Sequence, residues 1–190
     1  MIELNNSNKK TAISPSSERT LFSSFFLSLS GLEQNYEWRA INHNSARRLT
    51  GTPLEVFDSL DDLNQAGYGI FVTINETDGK DIKGANITRV RALFADFDGS
   101  PLSNLDRIPL RPSFTVNTSP GKHHAYWLVD DCPPDHFKPM QQKLARILES
   151  DPAVCDLGRI MRVPGFYHLK CDPFMVTIDC PDQVNRYLFA

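Results

Sequence analysis

The chain has 190 residues, enough for one domain with a sizeable core or for one domain with a small appendage. Hydrophobic residues at 41%, charged residues at 23% and a net charge of −3 are typical of a soluble globular protein, and they argue against a broadly basic nucleic-acid binder. The four cysteines form no Cys-x-x-Cys pair, which argues against a zinc ribbon or a disulfide scaffold and predicts a cytoplasmic protein. No apolar run approaches the roughly 20 residues of a membrane span, so we expect no membrane partner.

The first third of the chain predicts a flexible tail and then a helical region. Residues 1–17 are rich in Asn, Ser and Lys and predict the tail, and residues 18–66 form the N-terminal part. Two helices are predicted there from apolar residues that share a face: Leu21, Phe22, Phe25, Phe26 and Leu29 in the first, and Leu54, Phe57, Leu60 and Leu63 in the second. Three arginines between them fit either a solvated face or contacts with a phosphate backbone: Arg39, Arg47 and Arg48.

Residues 67–190 change to a strand-like period. Strands are predicted over 68–74, 89–97, 112–118, 122–129 and 174–178, with a turn at 119–121. A helix is predicted from Pro133 to Ser150, with its buried face formed by Phe137, Met140, Leu144 and Ile147. This order predicts an α+β fold, in which a mostly antiparallel sheet packs against one long helix.

The central strand ends in two carboxylates, Asp96 and Asp98, with Phe97 between them. Residues two apart in a strand share a face, so both acids project together while Phe97 turns into the core. Like charges this close repel unless a cation compensates them, and Mg²⁺ or Mn²⁺ prefers such ligands. The other interpretation is a solvated pair in a turn.

Two later segments add cations and a third acid. Residues 119–127 begin with a Pro-Gly turn. Strand alternation after the turn places Lys122 and His124 on one face, where they can bind a phosphate. Residues 156–165 contain Asp156, Arg159 and Arg162, in which the acid either completes a metal site or pairs with an arginine to order the loop. Together the three segments fit two-metal phosphoryl transfer.

The three segments, in this order, resemble motifs I, II and III of the archaeo-eukaryotic primase superfamily. The matching patterns are an apolar strand ending in Asp-x-Asp (92–98), Ser-Pro-Gly-Lys-x-His-x-Tyr-Trp (119–127) and Asp-x-x-Arg-x-x-Arg-x-Pro-Gly-Phe (156–166). The resemblance covers about residues 67–178 and is strongest to the RepB-like primase-polymerases of plasmids and phages. It implies an RRM-like antiparallel catalytic palm over residues 67–190, beside the smaller N-terminal helical or αβ unit.

The resemblance also implies an activity, partners and residue roles. It implies a Mg²⁺- or Mn²⁺-dependent DNA primase and DNA polymerase that starts and extends primers from dNTP or NTP on single-stranded DNA template, in the cytoplasm of a bacterial or phage-infected cell. The metal-binding acids would be Asp96, Asp98 and Asp156. The nucleotide-binding residues would be His124, Lys122, Arg159, Arg162 and Ser119, where Lys122 occupies the serine position of the family's Ser-x-His motif unless Ser119 plays that part. A helicase domain or protein is the expected partner, and the chain is expected to be truncated before a C-terminal helicase or accessory region.

Three other functions fit parts of the sequence. A haloacid-dehalogenase-like phosphatase would use Asp96 as nucleophile and Asp98 as acid/base, but it needs parallel strand–helix units that residues 99–119 do not offer. A rolling-circle nicking enzyme needs two histidines on one strand face, whereas His123 and His124 are adjacent and point apart. A non-catalytic RRM-like nucleic-acid-binding domain needs stacking aromatics where carboxylates are inferred.

Overall fold

The computed structural model describes residues 15–189, so the predicted tail lies largely outside the described residues. The helices in this part of the chain are α1 (Pro15–Leu29), α2 (Pro53–Gln65) and α3 (Pro134–Leu148), with two 3₁₀ helices at Gly84–Asn86 and Leu102–Arg107. Its strands are β1 (Tyr36–Ile41), β2 (Ala46–Gly51), β3 (Gly69–Thr73), β4 (Glu76–Thr77), β5 (Ile87–Arg89), β6 (Ala92–Phe97), β7 (Phe114–Ser119), β8 (Lys122–Asp130), β9 (Ile160–Arg162), β10 (Tyr167–His168), β11 (Phe174–Met175), β12 (Thr177–Asp179) and β13 (Arg186–Leu188). None of the described helices is long and apolar enough to cross a membrane.

Two sheets dominate the architecture and confirm the α+β prediction. The first has the strand order β2-β1-β3-β9, and the second has the order β12-β7-β8-β13 with β6 also paired to β8. These pairings are antiparallel except that of β13 with β8. The antiparallel pairing of β6 with β8 does not provide the parallel sheet that the phosphatase alternative requires. The first sheet combines strands from both predicted parts of the chain, since β9 pairs with β3 and β3 pairs with β1.

Helix α1 connects the cores of the two sheets, as its apolar face leads one to expect. Phe22 and Phe25 are at most 1% exposed. The ring of Phe22 lies 5.8 Å from Trp38 of β1, and the ring of Phe25 lies 5.9 Å from Tyr126 of β8. The turn after β9 passes so close to this helix that a Cβ atom at Gly165 would lie 2.5 Å from the backbone oxygen of Glu18. Glycine is therefore required there both for space and for its φ of +87°.

Helix α3 buries a different face from the predicted one. Phe137 is buried as expected, but its buried companions are Gln141, Ala145 and Leu148, whereas Met140, Leu144 and Ile147 are exposed or half-buried. The reason is a polar contact that apolar periodicity cannot predict. The Oε1 atom of Gln141 accepts the Phe94 N–H at 3.2 Å, while its Nε2 donates to the carbonyls of Phe94 and Val154. This one amide covers the free edge of β6.

Replacing Gln141 tests this connection. We expect Gln141→Leu to lower the free energy of unfolding by about 2–4 kcal/mol, because buried backbone groups of Phe94 and Val154 lose their partners. Gln142→Leu is the matched control, since Gln142 is exposed on the same helix. Urea denaturation of both variants measures the difference. Equal stabilities for the two variants would contradict this account.

Candidate active site

A cleft of about 250 Å³ lies where the two sheets meet. Strands β6 and β8 contribute one wall and strands β3 and β9 the other. The residues that line the cleft include acids, cations, histidines and a few apolar side chains. They are Phe71, Asp96, Asp98, Thr118, Lys122, His124, Asp151, Val154, Arg159, Ile160, Met161, Arg162, His168 and Lys170. Most of the candidate residues from the three sequence segments therefore meet in one place.

The paired acids of the central strand both line the cleft, and Phe97 between them is fully buried. Burial, which is the largest cause, and the nearby charges of Asp98 and Asp151 together raise the pKa of Asp96 to about 6, against the opposing effect of Lys122 and Arg159. The Asp96 side chain is only 25% exposed, so solvent screens these charges weakly. Negative charge is thus held at this position against an electrostatic cost.

The third acid of the cleft is Asp151, which the sequence reading missed. Its N–H donates to the backbone carbonyl of Asp96 at 2.9 Å, and its carboxylate accepts the N–H of Ala153 at 2.8 Å. The backbone bond ties the segment after α3 directly to β6. Asp151 follows the helix and precedes a proline, so in the sequence it is typical of a helix stop. Its role in the cleft is visible only in the structure, where Asp151 lies close to Asp96.

Asp156, predicted as the third metal ligand, forms an ion pair with Arg159. It does not line the cleft, and its carboxylate lies 2.5 Å from the guanidinium of Arg159. Among residues 15–189, no group of three or more Asp, Glu, His or Cys side chains is arranged to hold a metal ion. The predicted cluster of Asp96, Asp98 and Asp156 is therefore not assembled in the structure, and the ion pair that was the alternative interpretation is present.

The segment after the Pro-Gly turn places its cation and imidazole in the cleft. Lys122 Nζ lies 2.7 Å from Asp98 Oδ1, and this hydrogen bond raises the pKa of Lys122. His124 Nε2 lies 3.9 Å from Asp96, and burial lowers the pKa of His124 to about 3, so the ring is neutral at pH 7 and makes no ion pair there. Ser119 does not line the cleft, and the neighbouring Thr118 does.

Both predicted arginines line the cleft, and each is held by its own partner. Arg162 is 9% exposed and lies 4.5 Å over the ring of Phe71, while Arg159 pairs with Asp156 and donates to the Ala153 carbonyl. Burial lowers the pKa of Arg162 to about 10, so it stays charged at neutral pH. The Nε atom of Arg159 is buried and has no hydrogen-bond partner in the described chain.

Two further cleft residues, His168 and Lys170, also escaped the sequence reading. His168 Nδ1 donates to the Thr118 carbonyl at 2.9 Å, and its Nε2 is buried without a partner among the described residues. An unpaired buried nitrogen is costly, so a ligand atom that reaches it gains a hydrogen bond without displacing an existing one. The signal in the sequence was weak, because both residues follow the Pro-Gly turn at the end of the third segment.

Fold and site together define a domain that gathers carboxylates and cations in one cleft between two antiparallel sheets. Residues 79–174 match the family described as the RepB DNA-primase N-terminal domain. The chain belongs to this family, and this confirms the resemblance seen in the sequence. No curated protein matches the chain.

Solved structures share the fold. The AEP domain of the primase-polymerase of cyanophage S-2L is similar with a TM-score of 0.74 and 20% identity, over 88% of this chain and 93% of that one. A crystal structure of the primase RepB′ is similar with a TM-score of 0.67 and 17% identity, over 85% of this chain and 56% of that one, so the chain spans about half of its length. The catalytic domain of RepB′ in complex with initiator DNA gives a TM-score of 0.65 and 16% identity, over 85% and 83%.

The raised pKa of Asp96 predicts that removing its charge stabilises the free protein. A folded-state pKa above the unfolded value means that the ionised carboxyl costs stability above about pH 6 and costs none below the unfolded pKa of 3.8. We expect Asp96→Asn to raise the free energy of unfolding at pH 8 by about 1–3 kcal/mol, and this gain to shrink as the pH falls from 6 towards 4.

Urea denaturation at several pH values, without divalent ions, measures the effect. Asp182→Asn serves as the control, since Asp182 is exposed. A loss of stability for Asp96→Asn at pH 8 would contradict the inferred repulsion.

Proposed function

We propose that this domain is the catalytic part of a metal-dependent DNA primase and polymerase, which extends primers on single-stranded DNA by two-metal phosphoryl transfer. By family it is a DNA-primase-like nucleotidyltransferase. The observation that carries the finer proposal is the cleft itself, where Asp96, Asp98 and Asp151 face a group of cations across a small volume. Carboxylates seat divalent ions and the cations bind a triphosphate, which is the combination that nucleotidyl transfer requires.

The carboxylates in the cleft fit a hard divalent ion whose remaining ligands come from the nucleotide substrate and from water. Asp96 and Asp98 offer two carboxylates, and Mg²⁺ commonly takes one or two from a protein and completes its shell with water and phosphate oxygens. This explains why a three-ligand group is not required among the described side chains. Bound Mg²⁺ or Mn²⁺ would favour ionisation of the attacking 3′-hydroxyl and neutralise charge on the departing pyrophosphate.

The side chains of this chain would orient the substrate. Lys122 holds Asp98 in the free protein, and once that carboxylate is taken up by a ligand, the ammonium becomes available to a phosphate oxygen. Arg159 and His168 each offer a buried nitrogen that has no partner within residues 15–189, and Arg162 adds an enclosed positive charge. The neutral His124 is fixed beside Asp96 by its contact with the hydroxyl of Tyr126 at 3.2 Å. Positioning of this kind supplies much of the rate in phosphoryl transfer.

Primer extension tests the proposal. With Mn²⁺ and labelled dNTP or NTP, the chain should extend a primer on a single-stranded template, and Asp98→Asn should lose at least 100-fold in rate, on the order of the contribution expected from a metal-binding carboxylate. Asp182→Asn, an exposed control, should retain the parent rate. A parent that binds DNA without extending primers would favour the non-catalytic binding domain instead.

A second comparison separates the two candidate third acids. If Asp151 shares the metal-binding role, Asp151→Asn should lower kcat and raise the Mn²⁺ concentration needed for half-maximal rate. Asp156→Asn should mainly raise KM for the nucleotide, because it releases Arg159 from its ion pair. The opposite pattern would restore Asp156 as the metal ligand predicted from the sequence.

A further inference from the structure

One face of the first sheet presents a continuous row of cationic and aromatic side chains. Arg39 of β1 lies opposite Arg48 of β2 and opposite Phe71 of β3, and Phe71 in turn lies opposite Arg162 of β9. Directly opposed residues of antiparallel strands project from the same face, so these four side chains form a row across the whole sheet. We call it the arginine row. With strands about 4.8 Å apart, it spans roughly 14 Å.

The other face of the same sheet is covered, which leaves the arginine row as the open one. Trp38 and Val72, which alternate with the row, are fully buried, and Trp38 stacks with Phe22 of α1. In contrast, Arg48 is exposed, and Arg39 and Phe71 are half-buried. Arg162, at the β9 end of the row, is only 9% exposed, so the open part of the row is formed by Arg48, Arg39 and Phe71.

The guanidinium groups are held in place by a buried acid. Glu37 is 1% exposed, accepts Arg48 Nε at 2.8 Å and the Thr50 hydroxyl at 3.0 Å, and lies 3.5 Å from Arg39. One carboxylate faces two arginines, so a positive charge is left over, and Arg162 adds another. The nearby Asp81 is itself paired with Lys83 at 3.2 Å.

The arginine row continues into the candidate active-site cleft. Phe71 and Arg162 line that cleft and also line a neighbouring cavity of about 440 Å³. This second cavity contains three further basic side chains: His43, His168 and Lys170. A strand that leaves the cleft over Phe71 of β3 therefore meets arginines on the other three strands of the sheet, β9, β1 and β2.

We propose that the arginine row binds the single-stranded DNA template, and this inference rests on the proposed function. Arg39 and Arg48 contact backbone phosphates, and a base stacks on the exposed part of the Phe71 ring. Sequence-independent binding of single strands commonly combines a cationic track with an aromatic platform. The buried Glu37 fixes the arginines in advance, which lowers the entropy lost when the strand binds. The arrangement also explains how a chain of net charge −3 can hold a polyanion.

Binding of a labelled oligothymidylate of about 16 nucleotides, within the range of single-strand site sizes, tests this in EDTA by fluorescence anisotropy at several salt concentrations. Arg48→Gln should weaken binding several-fold and reduce the slope of log K against log salt by about 0.7, the value for one phosphate contact on a single strand. Arg47→Gln is the matched control, because Arg47 lies in the same strand but opposite Ala40, on the other face. It should leave the slope unchanged.

A second variant distinguishes a direct loss of DNA binding from a loss caused by misfolding. The double replacement of Glu37→Gln and Arg48→Gln removes the buried carboxylate together with Arg48, so that Glu37 is not left as a buried charge without this partner. It should show the same loss of slope, and Arg48→Gln should raise KM for template without raising KM for the nucleotide. Equal affinities and slopes for Arg48→Gln, the double variant and Arg47→Gln would overturn the inference, as would equally tight binding of a duplex.

The two proposals fail separately. If the parent extends primers while all three variants bind alike, only the template track is wrong. If binding depends on Arg48 but the parent forms no product with Mn²⁺, the proposed catalytic function is wrong and the binding surface stands.

Discussion

The site depends on a balance of charge around Asp96, whose carboxylate is largely buried and lies close to Asp98 and Asp151. Burial, and after it the charges of Asp98 and Asp151, raise the pKa of Asp96 to about 6 although Lys122 and Arg159 act in the opposite direction. A protein that keeps such an arrangement gives up stability in its free form and regains it when a cation binds.

Short polar contacts hold the separate chain segments at the required spacing. The Gln141 amide joins β6 to the Val154 carbonyl, and the Asp151 N–H joins the same segment to Asp96. Further along, a Cβ at Gly158 would lie 1.6 Å from the backbone oxygen of Ile82, so that loop packs backbone against backbone. Acids that are distant in the sequence are thus fixed by buried hydrogen bonds and close contacts rather than by one rigid element.

Much of the fold could be predicted from the sequence, wherever the regular spacing of apolar residues determines the structure. The apolar face of α1, the strand that carries Asp96 and the Pro-Gly hairpin all follow from periodicity and turn chemistry. The predictions from the sequence differ from the structure where a polar contact determines which side chains are buried or line the cleft. The buried face of α3 is rotated by the bond of Gln141 to β6, and Asp151, which belongs to none of the three sequence motifs, lies in the cleft. A carboxylate next to an arginine in the sequence fits either a metal ligand or an ion pair, and in the free protein Asp156 is paired with Arg159.

The most direct measurement is a crystal structure of the domain with Mn²⁺ and a non-hydrolysable nucleoside triphosphate, with the ions located by anomalous scattering. We expect manganese peaks in the cleft at the carboxylates of Asp96 and Asp98, and the triphosphate close to Lys122, Arg159 and His168. Manganese bound elsewhere, or a triphosphate whose phosphates lie outside this cleft, would contradict the account.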